Sequence, residues 1–148
     1  IFIGDLFHSE ANTEWDDFHD WRTRHRTLSM TLALGNHELY SPQKYEALGL
    51  KVASHVDLNG LRFQHQPEPL GAKPIESSVV SASISGHLHP GIKLAGKGKQ
   101  RLVLPCFAHY EQQLILPAFG TFTGLHMITM KEALQLYAIA ENELIALK

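Results

Sequence analysis

The chain has 148 residues, 44% of them hydrophobic and 19% charged, and a formal net charge of −2. That length suits one domain with a real core, the composition excludes wholesale disorder, and no apolar run approaches the ~20 residues of a membrane span. The charge excludes a bulk polycation that holds nucleic acid by its overall field, and the single cysteine excludes a disulfide framework or a cysteine-rich zinc module. Ten histidines are many for this length. Composition alone leaves two readings open: metal sites built from N and O ligands, or scattered core and solvent histidines.

Ile1, Phe2 and Ile3 read as the tail of a buried strand ending in Gly4-Asp5. With no initiator methionine before them, the chain reads as a fragment or a processed protein. Residues 12–26 read as a helix, with Trp15, Phe18 and Trp21 at helical spacing, Asn12 as N-cap, and Glu14, Asp16 and Asp17 at the positive end of its dipole. A second apolar run, 28–34, ends in Gly35-Asn36-His37-Glu38. Ser41-Pro42 starts a short helix. Residues 51–58 and 61–65 are strand-like and joined at Asn59-Gly60, a hairpin signal. Residues 66–78, with Pro67, Pro69 and Pro74, form a loop. A strand over 79–85 ends in Gly86-His87-Leu88-His89. Strands follow at 92–95, 101–107 and 113–116, then a small-residue loop at 120–124. A final hairpin, 136–140 with 144–147, turns at Glu141-Asn142. The order, strand–helix–strand–helix and then strand-rich, predicts an α/β sandwich with a mixed sheet core and function at strand carboxyl ends.

Four of these apolar runs end in ligand-capable residues: Asp5; Asn36, His37 and Glu38; His65; and His87 with His89. A carboxylate, an amide oxygen and several imidazoles suit Mn, Fe, Zn or Ni better than an all-oxygen Ca or Mg cage. In an extended His-X-His both imidazoles point the same way and can reach neighbouring metals. An aspartate can bridge two ions ~3.5–4 Å apart, which hold a hydroxide and clamp a phosphoryl group.

The blocks Gly4-Asp5, Gly35-Asn36-His37-Glu38, His65 and Gly86-His87-Leu88-His89 resemble the metallophosphoesterase (calcineurin-like phosphoesterase) signature. The resemblance implies a four-layer α/β/β/α sandwich with mixed sheets, a single domain over 1–148, and two divalent metals. Asp5 would bridge both ions, Asn36, His65 and His87 would complete one, and His89 would bind the other. His37 would assist the leaving group, and Glu38 would orient His37. The family's first block, Asp-X-His, is missing. The expectation is therefore a chain lacking its first strand region, with one metal site intact and the other impaired. A narrower resemblance is carried by Gly-Asp-Leu-Phe-His-Ser (4–9), Asn12, Glu14-Trp15, Phe18, Leu-Pro-Cys-Phe (104–107) and Leu-Pro-Ala-Phe-Gly-Thr-Phe-Thr-Gly (116–124). These blocks are similar to the bacterial PdeM family, the ligase-associated DNA damage response endonucleases. That implies a cytoplasmic, manganese-dependent phosphodiesterase acting on DNA, with DNA-repair proteins as partners and no membrane. The rival functions are a phosphomonoesterase or nucleotide hydrolase on the same fold, and a non-catalytic protein-binding scaffold.

Other residues take plainer readings. His8 is divided evenly between touching substrate and packing behind the ligands. Lys97 and Lys99, with Arg101, and the trio Arg22, Arg24 and Arg26 are either solvated faces or phosphate contacts. Trp15, Phe18 and Trp21 read as core ahead of a base-stacking platform. Cys106 reads as a buried small hydrophobe ahead of a nucleophile. His19, His25 and His109 are assigned to the surface, His55 and His126 to structure.

Overall fold

A computed structural model describes residues 1–7, 13–69, 79–96, 100–120 and 123–147. The first part of the chain alternates strands and helices: β1 (Phe2–Ile3), α1 (Glu14–Arg24), β2 (Met30–Ala33), α2 (Pro42–Ala47) and β3 (Leu50–Ala53). The three strands form a parallel sheet in the order β1-β2-β3, with Phe2 beside Leu32 and Met30 beside Leu50. Parallel neighbours need a crossover, and α1 and α2 supply it.

The remaining strands are β4 (His55–Leu58), β5 (Leu61–Gln64), β6 (Ala82–Ser85), β7 (Pro90–Ala95), β8 (Arg101–Tyr110), β9 (Gln113–Ile115), β10 (His126–Met127), β11 (Gln135–Ala140) and β12 (Glu143–Leu147). They form a mixed sheet in the order β10-β7-β8-β9-β6-β5-β4, with β11 on β8 and β12 on β11. β5, β6 and β9 run parallel, while β7, β8, β11 and β12 are antiparallel neighbours. The long β8 pairs with β7 through its first half and with β9 and β11 through its second. This is the expected mixed α/β architecture.

Two apolar cores result. One gathers Phe7, Met30, Leu32, Tyr45 and Leu50 beneath Trp15, Phe18 and Trp21 of α1. Phe7 lies 5.4 Å from the ring of Trp15 and 5.6 Å from that of Phe18, so the aromatic stripe is core and not a stacking platform. The other gathers Ile92, Cys106, Ala108, Ile115, Ile128, Leu136 and Ala138.

Several boundaries differ from the expectations. The N-cap of α1 is Thr13, whose side chain makes no capping bond, and Asn12 lies outside the described residues. The Thr13 hydroxyl instead donates to Asp17 Oδ2 at 3.3 Å. The run 51–58 is two strands that part at Ser54, β3 entering the parallel sheet and β4 the mixed one. Strand propensity is continuous across that point, and a change of sheet leaves no periodic trace. The two-residue β10 gave no signal, because its pairing with β7 is purely tertiary.

Candidate metal centre

The loops that follow β1, β2, β5 and β6 carry Asp5, Asn36, His65 and His87. β1 and β2 are parallel, as are β5 and β6, so each pair delivers its loops at one end of its sheet. The two ends are tied together where His65 Nδ1 meets the Ile3 carbonyl at 3.0 Å. The backbone is strained here. Non-glycine residues with positive φ are Asp5 (49°), His87 (62°), His89 (49°), Asn59 and Glu141 among the described residues. The last two make hairpin turns, which leaves three of the five at this centre.

His65 is buried, its side chain only 3% exposed. The Ile3 carbonyl can only accept, so Nδ1 donates to it, and in a neutral ring the lone pair is on Nε2. That lone pair faces Asn36 Oδ1 at 2.9 Å, His87 Nδ1 at 3.1 Å and Asp5 Oδ2 at 3.2 Å. Ligand atoms of Asp5, His65 and His87 all lie within 4.8 Å of one another. Burial, and then the neighbouring His65, hold the His87 imidazole below its ordinary pKa, which keeps its ring neutral and able to ligate.

Glu38 fastens the two loops of the parallel sheet. Its Oε1 accepts from the backbone N–H of Asp5 at 2.7 Å and of Gly35 at 3.2 Å, and its Oε2 accepts from the Tyr45 hydroxyl at 2.7 Å. Asp5 Oδ1 accepts in turn from the His37 N–H at 2.9 Å. Glu38 thus grips backbone amides and a buried tyrosine, in place of the expected direct orientation of His37. No sequence signal marked Tyr45. Burial and the Glu38 carboxylate push its hydroxyl well above the usual phenol range, so it remains a donor. The packing leaves no space for a side chain at two glycines. A Cβ on Gly4 would meet His65 Cγ at 2.6 Å, and one on Gly35 would meet Asp5 N at 2.5 Å and run into the Asp5 carboxylate.

No family model matches the chain, and no curated protein matches it. Among solved structures it is similar to the crystal structure of Pseudomonas putida nuclease MPE. The identity is 32% and the TM-score 0.77, over 98% of this chain and 68% of that one. The chain belongs to the family of nuclease MPE.

In this member of the MPE family the centre unites Asp5, Asn36, His65 and His87, four of the expected ligands. His89 stands outside the close group of Asp5, His65 and His87, although it and His37 lie near enough to depress His87 further. The loop carrying His89 is held by its carbonyl, which accepts from the His126 N–H at 3.0 Å. His37 is exposed beside the centre. His8, Lys97 and Lys99 lie outside the described residues.

Arg22 is neither a solvated cation nor a phosphate contact. It is 7% exposed, and its guanidinium donates to the carbonyls of Leu48 at 3.1 Å and Gly49 at 3.3 Å, binding α1 to the end of α2. Arg22 alternates with Arg24 and Arg26 in the sequence, so only the fold reveals this role. Cys106 is fully buried and its thiol is pushed up to about 11, which removes it as a nucleophile.

Proposed function

We propose that the chain is a metal-dependent phosphodiesterase of the metallophosphoesterase type, similar to the PdeM endonucleases, that hydrolyses DNA. The observation that carries this reading is the convergence of lone pairs on His65 Nε2. Asn36 Oδ1 and Asp5 Oδ2 can only accept, and a proton on Nε2 would serve one of them. A divalent cation relieves the whole group, and a carboxylate, an amide oxygen and two imidazoles fit Mn, Fe, Zn or Ni. The name of the MPE relative supports nucleic acid as the substrate.

Asp5, Asn36, His65 and His87 would hold one ion, and Asp5 and His89 would be available to a second. Such ions supply Lewis-acid activation of water and neutralise the charge that builds on the phosphoryl oxygens. His65 is kept in the ligating tautomer by Ile3, as a ligand histidine is by its outer partner. His37, exposed and anchored through its N–H to Asp5, stands ready to protonate the departing alkoxide. Among the described residues no helix is long and apolar enough to cross a membrane.

The test is hydrolysis of a generic phosphodiester with added Mn. Asp5→Asn and His87→Ala should each abolish the reaction, and the metal-free protein should be inert. Retained activity in either variant would refute the assignment.

A further inference from the structure

A groove of about 590 Å³ opens beside the metal centre and shares Asn36 and His65 with it. That volume lies in the range of sites for small organic ligands. Leu34, Pro67 and Pro69 give it apolar faces, while Ser54, Gln66 and Glu68 give it hydrogen-bonding groups. Among the described residues neither lysine nor arginine lines it, and a carboxylate does. A second phosphate is disfavoured there, and a flat, neutral, polar ring suits it.

The groove wall is held in place from behind. Gln113 of β9 is 8% exposed, and its side chain takes both backbone groups of Glu68, accepting from N at 2.6 Å and donating to O at 3.3 Å. Gln64 Nε2 donates to the Gln66 carbonyl and to Glu68 Oε1, each at 2.9 Å. The wall is therefore ordered before any ligand arrives, which lowers the entropy cost of binding.

We propose that this groove is a nucleobase subsite, seating the base next to the scissile phosphate and favouring bases that carry an amino group. The inference rests on the phosphodiesterase reading for its place beside the reacting phosphate. The Glu68 carboxylate accepts but cannot donate, so it pairs with the exocyclic amino group of adenine, cytosine or guanine. It repels the exocyclic oxygen that thymine offers at the corresponding position.

Two measurements test it. In the first, nucleosides without phosphate are titrated into the metal-free protein and followed by amide NMR. Cytidine and adenosine should shift signals of residues 64–69, thymidine should bind about tenfold more weakly, and Glu68→Gln should erase the difference. In the second, the Mn-loaded protein is assayed on the p-nitrophenyl esters of methyl phosphate and of cytidine 5′-phosphate. Gln66→Ala, at an exposed position, and Glu68→Gln should each lower the ratio of kcat/KM for the cytidine ester over the methyl ester about tenfold. An unchanged ratio, or nucleosides that leave 64–69 undisturbed, overturns the subsite. Should the wild type hydrolyse neither ester, the phosphodiesterase reading falls, and the nucleoside titration alone decides whether the groove takes a base.

Discussion

The ends of β1, β2, β5 and β6 and the antiparallel group β7, β8, β11 and β12 are built on opposite terms. The first region buries polar atoms against one another: His65 faces Asn36, Asp5 and His87 across about 3 Å, with Asp5, His87 and His89 in left-handed backbone. The second buries Ile92, Cys106, Ala108, Leu136 and Ala138 in regular strands, and among the described residues its one left-handed non-glycine residue is the hairpin Glu141. Left-handed backbone at side-chain-bearing residues raises the energy of the fold, and apolar packing lowers it. The difference teaches that the antiparallel half and the aromatic core under α1 supply the stability that lets the ligand loops hold a geometry they would not adopt alone.

That contrast can be broken by exchanging its consequences. The largest effect is expected at Gly35→Ala. The new methyl cannot share space with Asp5, and displacing a ligand by even ~1 Å costs on the order of 100-fold in rate. Mn-dependent turnover and Mn affinity should both collapse while the urea midpoint moves little. Leu136→Ala should do the reverse. It empties a fully buried site at a cost of about 2–5 kcal/mol, read from urea unfolding, with Mn affinity unchanged in the folded protein. A variant of Leu136 that lost metal before it lost stability would dissolve the distinction between the regions.

Smaller effects sharpen it. Tyr45→Phe leaves Glu38 Oε2 without its donor and should cost about 1–3 kcal/mol, with a modest fall in turnover as the two loops loosen. The pH dependence follows from His87, whose imidazole is held below its ordinary pKa in the fold. The unfolded chain then binds the proton more readily, so the metal-free protein should lose stability as pH falls from the ordinary histidine value to the depressed one. Replacing His87 by Asn should flatten that slope in urea titrations across about pH 5–8. The smallest expected effect is at Cys106, which should resist thiol reagents at neutral pH until the protein unfolds. Rapid labelling of the native chain would show the antiparallel core to be looser than its packing.

Much of this was legible beforehand because hydrophobic runs and turn residues are local signals. The hairpin turning at Asn59-Gly60 forms as read, as do the short helix after Ser41-Pro42 and the final hairpin at Glu141. The role of Trp15, Phe18 and Trp21 as core was also visible in their spacing. Arg22 was not, since three alternating arginines look alike until one of them meets the carbonyls of Leu48 and Gly49.

The sequence by itself determined which kinds of ligand stand at the ends of which apolar runs, and so the class of chemistry the chain can support. The tertiary structure alone decided that β3 and β4 part at Ser54, that Glu38 grips the amides of Asp5 and Gly35, and that Asp5, Asn36 and His87 meet at one nitrogen of His65. The physical reason is range. A side chain's type and its local period are properties of a few neighbouring residues. The bond from His65 to Ile3 joins positions 62 apart, and only the pairing of whole sheets brings them together.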